Sequence, residues 1–212
     1  MGRETRAMQD DDATNPAMFW VLEGEALFKN KEGSGKACLD CHSTLKGVAA
    51  RYPAQDAKQG RLLNLEGRIN ACRTERMGAA AFPYESRELL SLTAYVALQS
   101  RGAPIEVRKS DVGEKFFHLR QGQLNLSCAQ CHDERWGKKL AGTPIPQAHP
   151  TGYPLYRLEW QNLGSLQRRL RNCLTGMRAE AWPFGAPELV ELERYLMWRA
   201  RGMKMESPAV RP

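Results

Sequence analysis

The chain has 212 residues, 42% apolar and 26% charged, with a formal net charge of +7. That length holds one large domain or two small ones of about 100 residues, and no run reaches the ~18 consecutive apolar residues of a membrane-spanning helix. Residues 1–105 hold 14 Lys/Arg against 13 Asp/Glu and residues 106–212 hold 17 against 11, but no zinc-finger helix, RGG tract or basic-aromatic stripe accompanies the excess, so no nucleic-acid partner is expected.

The stretch MGRETRAMQDDDATNPAM has no apolar signal-peptide core, as expected of a mature exported protein that has lost its leader. GEALF at 24–28 opens a first helical segment, followed by Cys38-Leu39-Asp40-Cys41-His42. A long loop leads to a short helix ending RINAC at 68–72, then a Pro-aromatic turn around Pro83. Leu89, Leu92 and Val96 recur at i, i+3, i+7, which predicts a closing helix with one apolar stripe. Gly102-Ala103-Pro104 reads as a boundary.

The same series then repeats. GEKFF at 113–117 precedes Cys128-Ala129-Gln130-Cys131-His132, and RLRNC at 169–173 precedes the turn at Pro183. Pro187 suits a first helical turn, and Leu189, Leu192 and Leu196 form the matching stripe. Offsets between matching points are 89, 90, 101, 100 and 100 residues, so an 11-residue insertion lies between Cys131 and Cys173. The Gly- and Pro-rich stretch 137–156 holds it and reads as a loop. No strand-like alternation of useful length appears. The expected fold is all-α: two cytochrome c-like domains related by an internal repeat, residues 1–104 with a first haem and 105–212 with a second.

C-x-x-C-H is the haem attachment signature. Two thiols three residues apart can form thioethers to both former vinyl groups, and the adjacent His then lies under the iron. Zinc would need further Cys or His in pairs, and only His118, His149 and two single cysteines remain. His118 and His149 receive no role. Two covalently bound haem c groups are therefore expected, held by Cys38, Cys41 and His42 and by Cys128, Cys131 and His132. Bacterial thioether attachment takes place outside the cytosol, which places the mature chain in the periplasm.

The far side of each haem has two sulfur candidates, Cys72 or Met77 and Cys173 or Met177. Cys72 and Cys173 occupy equivalent positions, and with them six cysteines divide into four thioethers and two iron ligands. Methionine is the commoner partner, and a Cys72–Cys173 disulfide is a third reading.

The stretches MQDDDATNPAMFWVLEGEALF, GVAARYPA, NLEGRINACR, PYESRELLSLTAYVALQSRG and RNCLTGMRAEAWPFGAPELVELERYL, with both haem motifs, resemble the SoxA family over nearly the whole chain. That family comprises cytochrome subunits of the bacterial thiosulfate-oxidising SoxAX complex, L-cysteine S-thiosulfotransferase. The resemblance implies that Cys72 and Cys173 ligate the two irons, that Cys173 is also catalytic and can carry an extra sulfur, and that Arg169 binds substrate. It implies conjugation of thiosulfate to a cysteine of a SoxYZ-type carrier. A SoxX-type monohaem cytochrome would be the partner, and a small electron-accepting cytochrome would take the electrons onward. Arg68 has the same i−4 relation to Cys72 as Arg169 has to Cys173, so part of this arginine's role is expected to be structural. Arg171 and Arg178 have no basic counterparts and are expected to add charge. Trp136, Tyr153, Tyr156, Trp160 and Trp182 are expected to pack the haem pocket. The rival functions are a plain electron-transfer cytochrome and a thiosulfate dehydrogenase that needs no carrier protein.

Overall fold

Two helix pairs crossing at glycine set the frame of the chain, described over residues 1–212 by a computed structural model. In the first half α2 (Met18–Lys29) packs on α4 (Arg87–Leu98). A Cβ on Gly24 would lie 2.0 Å from the Ser91 carbonyl oxygen. In the second half α5 (Asp111–His118) packs on α8 (Pro187–Arg199), and a Cβ on Gly113 would lie 2.0 Å from the Glu191 carbonyl. Only a residue without a side chain allows this approach, which explains the Gly-Glu in both halves of the repeat. The predicted stripes point inward at both crossings: Leu89, Leu92, Leu189 and Leu196 are buried.

Each cysteine-bearing helix follows a small hairpin. Strand β1 (Ala54–Asp56) pairs antiparallel with β2 (Arg61–Leu63) ahead of α3 (Leu65–Cys72), which Asn64 caps through its side-chain oxygen. The equivalent β5 (Leu155–Arg157) pairs with β6 (Asn162–Gly164) ahead of α7 (Leu166–Gly176), capped by Ser165. These caps satisfy first-turn N–H groups that would otherwise lack partners. A second hairpin, β3 (Lys139–Leu140) with β4 (Thr143–Pro144), lies in the insertion. Strand β7 (Ala209–Arg211) adds parallel to β5, and α1 (Arg3–Asp10) packs across β7.

The helical expectation thus holds for the frame, while the absence of strands does not. The strands are two or three residues long, too short to show a period-2 pattern.

The halves share their apolar interior. One cluster joins Ala49, Leu65, Val96 and Ile105 to Met197, Ala200 and Met205, and another joins Trp20, Leu90 and Ala94 to Leu163. Between the halves lies a cavity of about 50 Å³, lined in part by Asn64, Glu66, Tyr153 and Glu193. That is room for a few waters.

Candidate haem sites and the Cys173 pocket

The second attachment motif forms α6 (Cys128–His132), whose start is fixed by reciprocal bonds between Ser127 and Gln130. His132 Nδ1 lies 2.6 Å from the carbonyl oxygen of Pro146. With Nδ1–H donating there, Nε2 is left as the basic nitrogen, the second-shell arrangement that orients a metal-binding imidazole. Pro146 comes from the inserted loop, so the insertion supplies an anchor for the second half's histidine. Burial pulls the His132 pKa below its ordinary value, and nearby Arg169 and Arg199 act in the same direction. In the first half the motif is a 3-10 turn over Cys38–Asp40, with the Asp40 carboxylate accepting from Ala37 N at 2.9 Å. His42 is exposed, 6.5 Å ring to ring from Phe28.

No two of the six cysteines are joined, and Cys72 and Cys173 each lie in their own half, which speaks against the Cys72–Cys173 disulfide reading. Burial raises the pKa of Cys38 and of Cys72, and Cys72 faces its own attachment pair: its negative form adds to the rise at Cys38, and that of Cys41 adds to its own. Cys173 stands likewise to Cys128 and Cys131. Cys38 also touches Met77, Sγ to Sδ 3.8 Å, and Met77 is buried against it. Met177 is buried in the α5–α8 core with Phe117 and Leu189. Each half therefore brings an attachment pair, a histidine and a further thiol to one place. This donor set fits a thioether-bound haem c with His on one side and a soft sulfur on the other.

The expected supporting charges fall differently. The Arg171 guanidinium donates to the carbonyls of Ala181 and Trp182 and sits 4.5 Å over the Phe184 ring. It ties down the Pro-aromatic turn, as Asn70 does through Phe82 in the first half. Arg178 is exposed at a positive φ of 55°. Neither guanidinium acts on the Cys173 thiol; Arg169 and Arg157 do, and both pull its pKa down. Burial outweighs them, so this thiol sits above its ordinary value. A bound iron would favour the thiolate form of Cys173 against the burial that opposes it.

The aromatics divide. Tyr153 is half-buried beside Cys173 and Arg169, its hydroxyl pushed up to about 12 by burial. Trp160 lies under Arg168 at 4.2 Å and Arg157 at 5.1 Å, and Trp182 packs on Phe116. Tyr156 packs instead on Trp20 of the first half, and Trp136 is exposed on the inserted loop. Arg157 was missed in the sequence because the motifs aligned there stop short of it. The signal was present: counting 101 residues back from Arg157, the offset of the cysteine helices, gives Asp56.

A family model described as the SoxA/TsdA cytochrome c domain matches residues 23–105 and 112–205. The chain is 37% identical to the L-cysteine S-thiosulfotransferase subunit SoxA of Pseudaminobacter salicylatoxidans, over 98% of this chain and 77% of that protein. It is 32% identical to the subunit of the same name from Paracoccus pantotrophus, over 98% and 75%. The crystal structure of SoxXA from P. pantotrophus superposes with a TM-score of 0.95 at 31% identity, covering 100% of this chain and 84% of that one.

Proposed function

The chain belongs to the SoxA/TsdA cytochrome c family, and from that membership we propose that it is the SoxA subunit of a periplasmic L-cysteine S-thiosulfotransferase. It conjugates thiosulfate oxidatively to a cysteine of a SoxYZ-type carrier, in complex with a SoxX-type monohaem cytochrome. The observation that carries this reading is the pairing at the second attachment site of a half-buried thiol, Cys173, with an arginine that has no partner. Arg169 is half-buried and makes no side-chain hydrogen bond or ion pair, which leaves its planar fork for a sulfonate-like end.

Cys38 and Cys41 would hold one haem c and Cys128 and Cys131 the other, with His42/Cys72 and His132/Cys173 as iron ligands. These groups supply one-electron acceptors when bound. The chain's residues do the rest. Arg169 binds the –SO₃ end and turns the outer sulfur of thiosulfate towards Cys173. The Cys173 sulfur joins that outer sulfur with loss of two electrons, giving Cys–S–S–SO₃⁻. A carrier thiolate then attacks the outer sulfur, the bond to Cys173 breaks, and Cys173 leaves as thiolate. The sum is RSH + S₂O₃²⁻ → RS–S–SO₃⁻ + H⁺ + 2e⁻, with the electrons passing to the partner cytochrome and a small acceptor beyond it.

Cys173→Met separates the rival functions, because methionine offers a sulfur to iron but no thiolate to a substrate. Conjugation to the carrier cysteine, followed by intact mass of the carrier, should stop in Cys173→Met and persist largely in Cys72→Met. Wild-type conjugation by Cys173→Met would make the protein an electron carrier. Tetrathionate as the product, with or without carrier, would make it a thiosulfate dehydrogenase.

A further inference from the structure

We propose that Arg157 is a second binding residue for the substrate dianion, which is held between Arg157 and Arg169 beside Cys173. The inference rests on the functional reading above and goes beyond it by assigning a new residue and a single-site stoichiometry.

The repeat supplies the argument. At an offset of 101 residues, Tyr52, Asp56, Arg68 and Cys72 correspond to Tyr153, Arg157, Arg169 and Cys173. Asp56 and Arg157 both end the first strand of their hairpins, in matching register with Arg61 and Asn162. In the first half the pair neutralises itself, with Arg68 Nη1 2.6 Å from Asp56 Oδ2. In the second half a cation stands where that carboxylate would be. Two guanidinium groups in a half-buried place repel one another unless an anion lies between them.

Their donors are only partly used. Arg157 gives Nε to the Pro212 carbonyl at 2.9 Å and Nη2 to Glu159 at 2.8 Å, leaving Nη1 without a partner. The Glu159 side chain is 65% exposed against 14% for Arg157, so this carboxylate is solvated and its hold is weak. Arg169 has every side-chain donor unpaired. Strand β5 is paired on both edges, by β6 and β7, which holds Arg157 in place and limits the entropy lost on binding. A doubly charged anion with a trigonal oxygen face suits two such forks. The first half, already neutralised, lacks this site, so the chain should bind one dianion and not two.

The test is a calorimetric titration of the ferric holoprotein complex with thiosulfate, without carrier protein, alongside the thiosulfate KM, both haem spectra and both midpoint potentials. Arg157→Gln should raise Kd and KM roughly tenfold or more, the loss expected of one charge-assisted bond, with spectra and potentials unchanged. Arg157→Lys should fall between. Arg157→Asp recreates the first half's ion pair, so it should keep the fold and both haems while abolishing dianion binding. Wild-type affinity in Arg157→Gln or Arg157→Asp would overturn the proposal. So would a shifted second-haem potential at unchanged affinity, which would assign Arg157 to a haem propionate. If the wild type binds one dianion in an Arg157-dependent way yet transfers no sulfur to a carrier, the functional reading fails and this one stands.

Discussion

At the scale of single residues, the two halves hold the same cysteine in different company. Cys72 lies near an arginine already paired with Asp56, and Cys173 near one that is unpaired. Removing Arg169 should therefore affect substrate and not haem. Arg169→Ala is expected to weaken thiosulfate turnover by a factor matching roughly 1.5–3 kcal/mol, with both haem spectra retained. Loss of the second haem's spectrum with normal turnover after reconstitution would show that the residue is structural. Electron paramagnetic resonance of the holoprotein should give thiolate-type ferric signals from both centres, since Cys72 and Cys173 face equivalent attachment pairs. A far-red Met–iron charge-transfer band from either haem would contradict this and point to Met77 or Met177.

At the scale of elements, the helices were readable and their connections were not. The i, i+3, i+7 stripes of Leu89, Leu92 and Val96 and their counterparts gave α4 and α8 because burial of one helix face leaves a period in sequence. The hairpins before α3 and α7 left none. Nor did the histidine anchor, because nothing in the composition of the insertion marks the Pro146 carbonyl as the partner of His132. Another local difference follows the end of α3, where the chain continues through a π turn over Arg73–Met77. There Arg73 is buried under Phe82, paired with Glu32 at 2.7 Å and bonded to the Ala80 carbonyl. The equivalent residue on α7 is the buried Leu174. Arg73 is buried but the Glu32 side chain is 30% exposed; such a pair is often replaceable by apolar packing, whereas removing one partner leaves the buried charge uncompensated. Glu32→Gln alone, which strands the Arg73 charge, should destabilise by roughly 3 kcal/mol. Arg73→Leu with Glu32→Gln should come within roughly 1 kcal/mol of wild type. Thermal unfolding of the holoprotein checks both.

At the scale of the whole molecule, the interface between halves holds two carboxyls whose meeting no sequence pattern marks. Glu66 of α3 and Glu193 of α8 are both buried, and Glu193 accepts from Asn64 Nδ2 at 3.3 Å. Burial pushes Glu66 up to about 7, and burial with the nearby Glu66 charge pushes Glu193 well above the carboxylate range. Both folded-state values lie above the unfolded ones. The stability they contribute is thus fully present below the unfolded carboxylate pKa and is lost as pH rises through about 7. The unfolding midpoint should fall between about pH 5 and pH 8. Glu66→Gln with Glu193→Gln should flatten that slope by up to roughly 3 kcal/mol. An unchanged slope would mean that the carboxyls do not hold protons at the interface.

The strand at the carboxyl end has a consequence in time. Val210 N donates to Gln9 Oε1, a contact spanning 201 positions, and Asn15 Nδ2 reaches the Pro208 carbonyl across 193. Contacts of that span form late, because loop closure must precede any gain from them. Until β7 docks, β5 lacks one edge and Arg157 lacks its Pro212 carbonyl. On the proposed reading, the place that Arg157 takes beside the substrate is completed only when the two ends of the chain meet, so the long-range closure and the binding site share one structural condition.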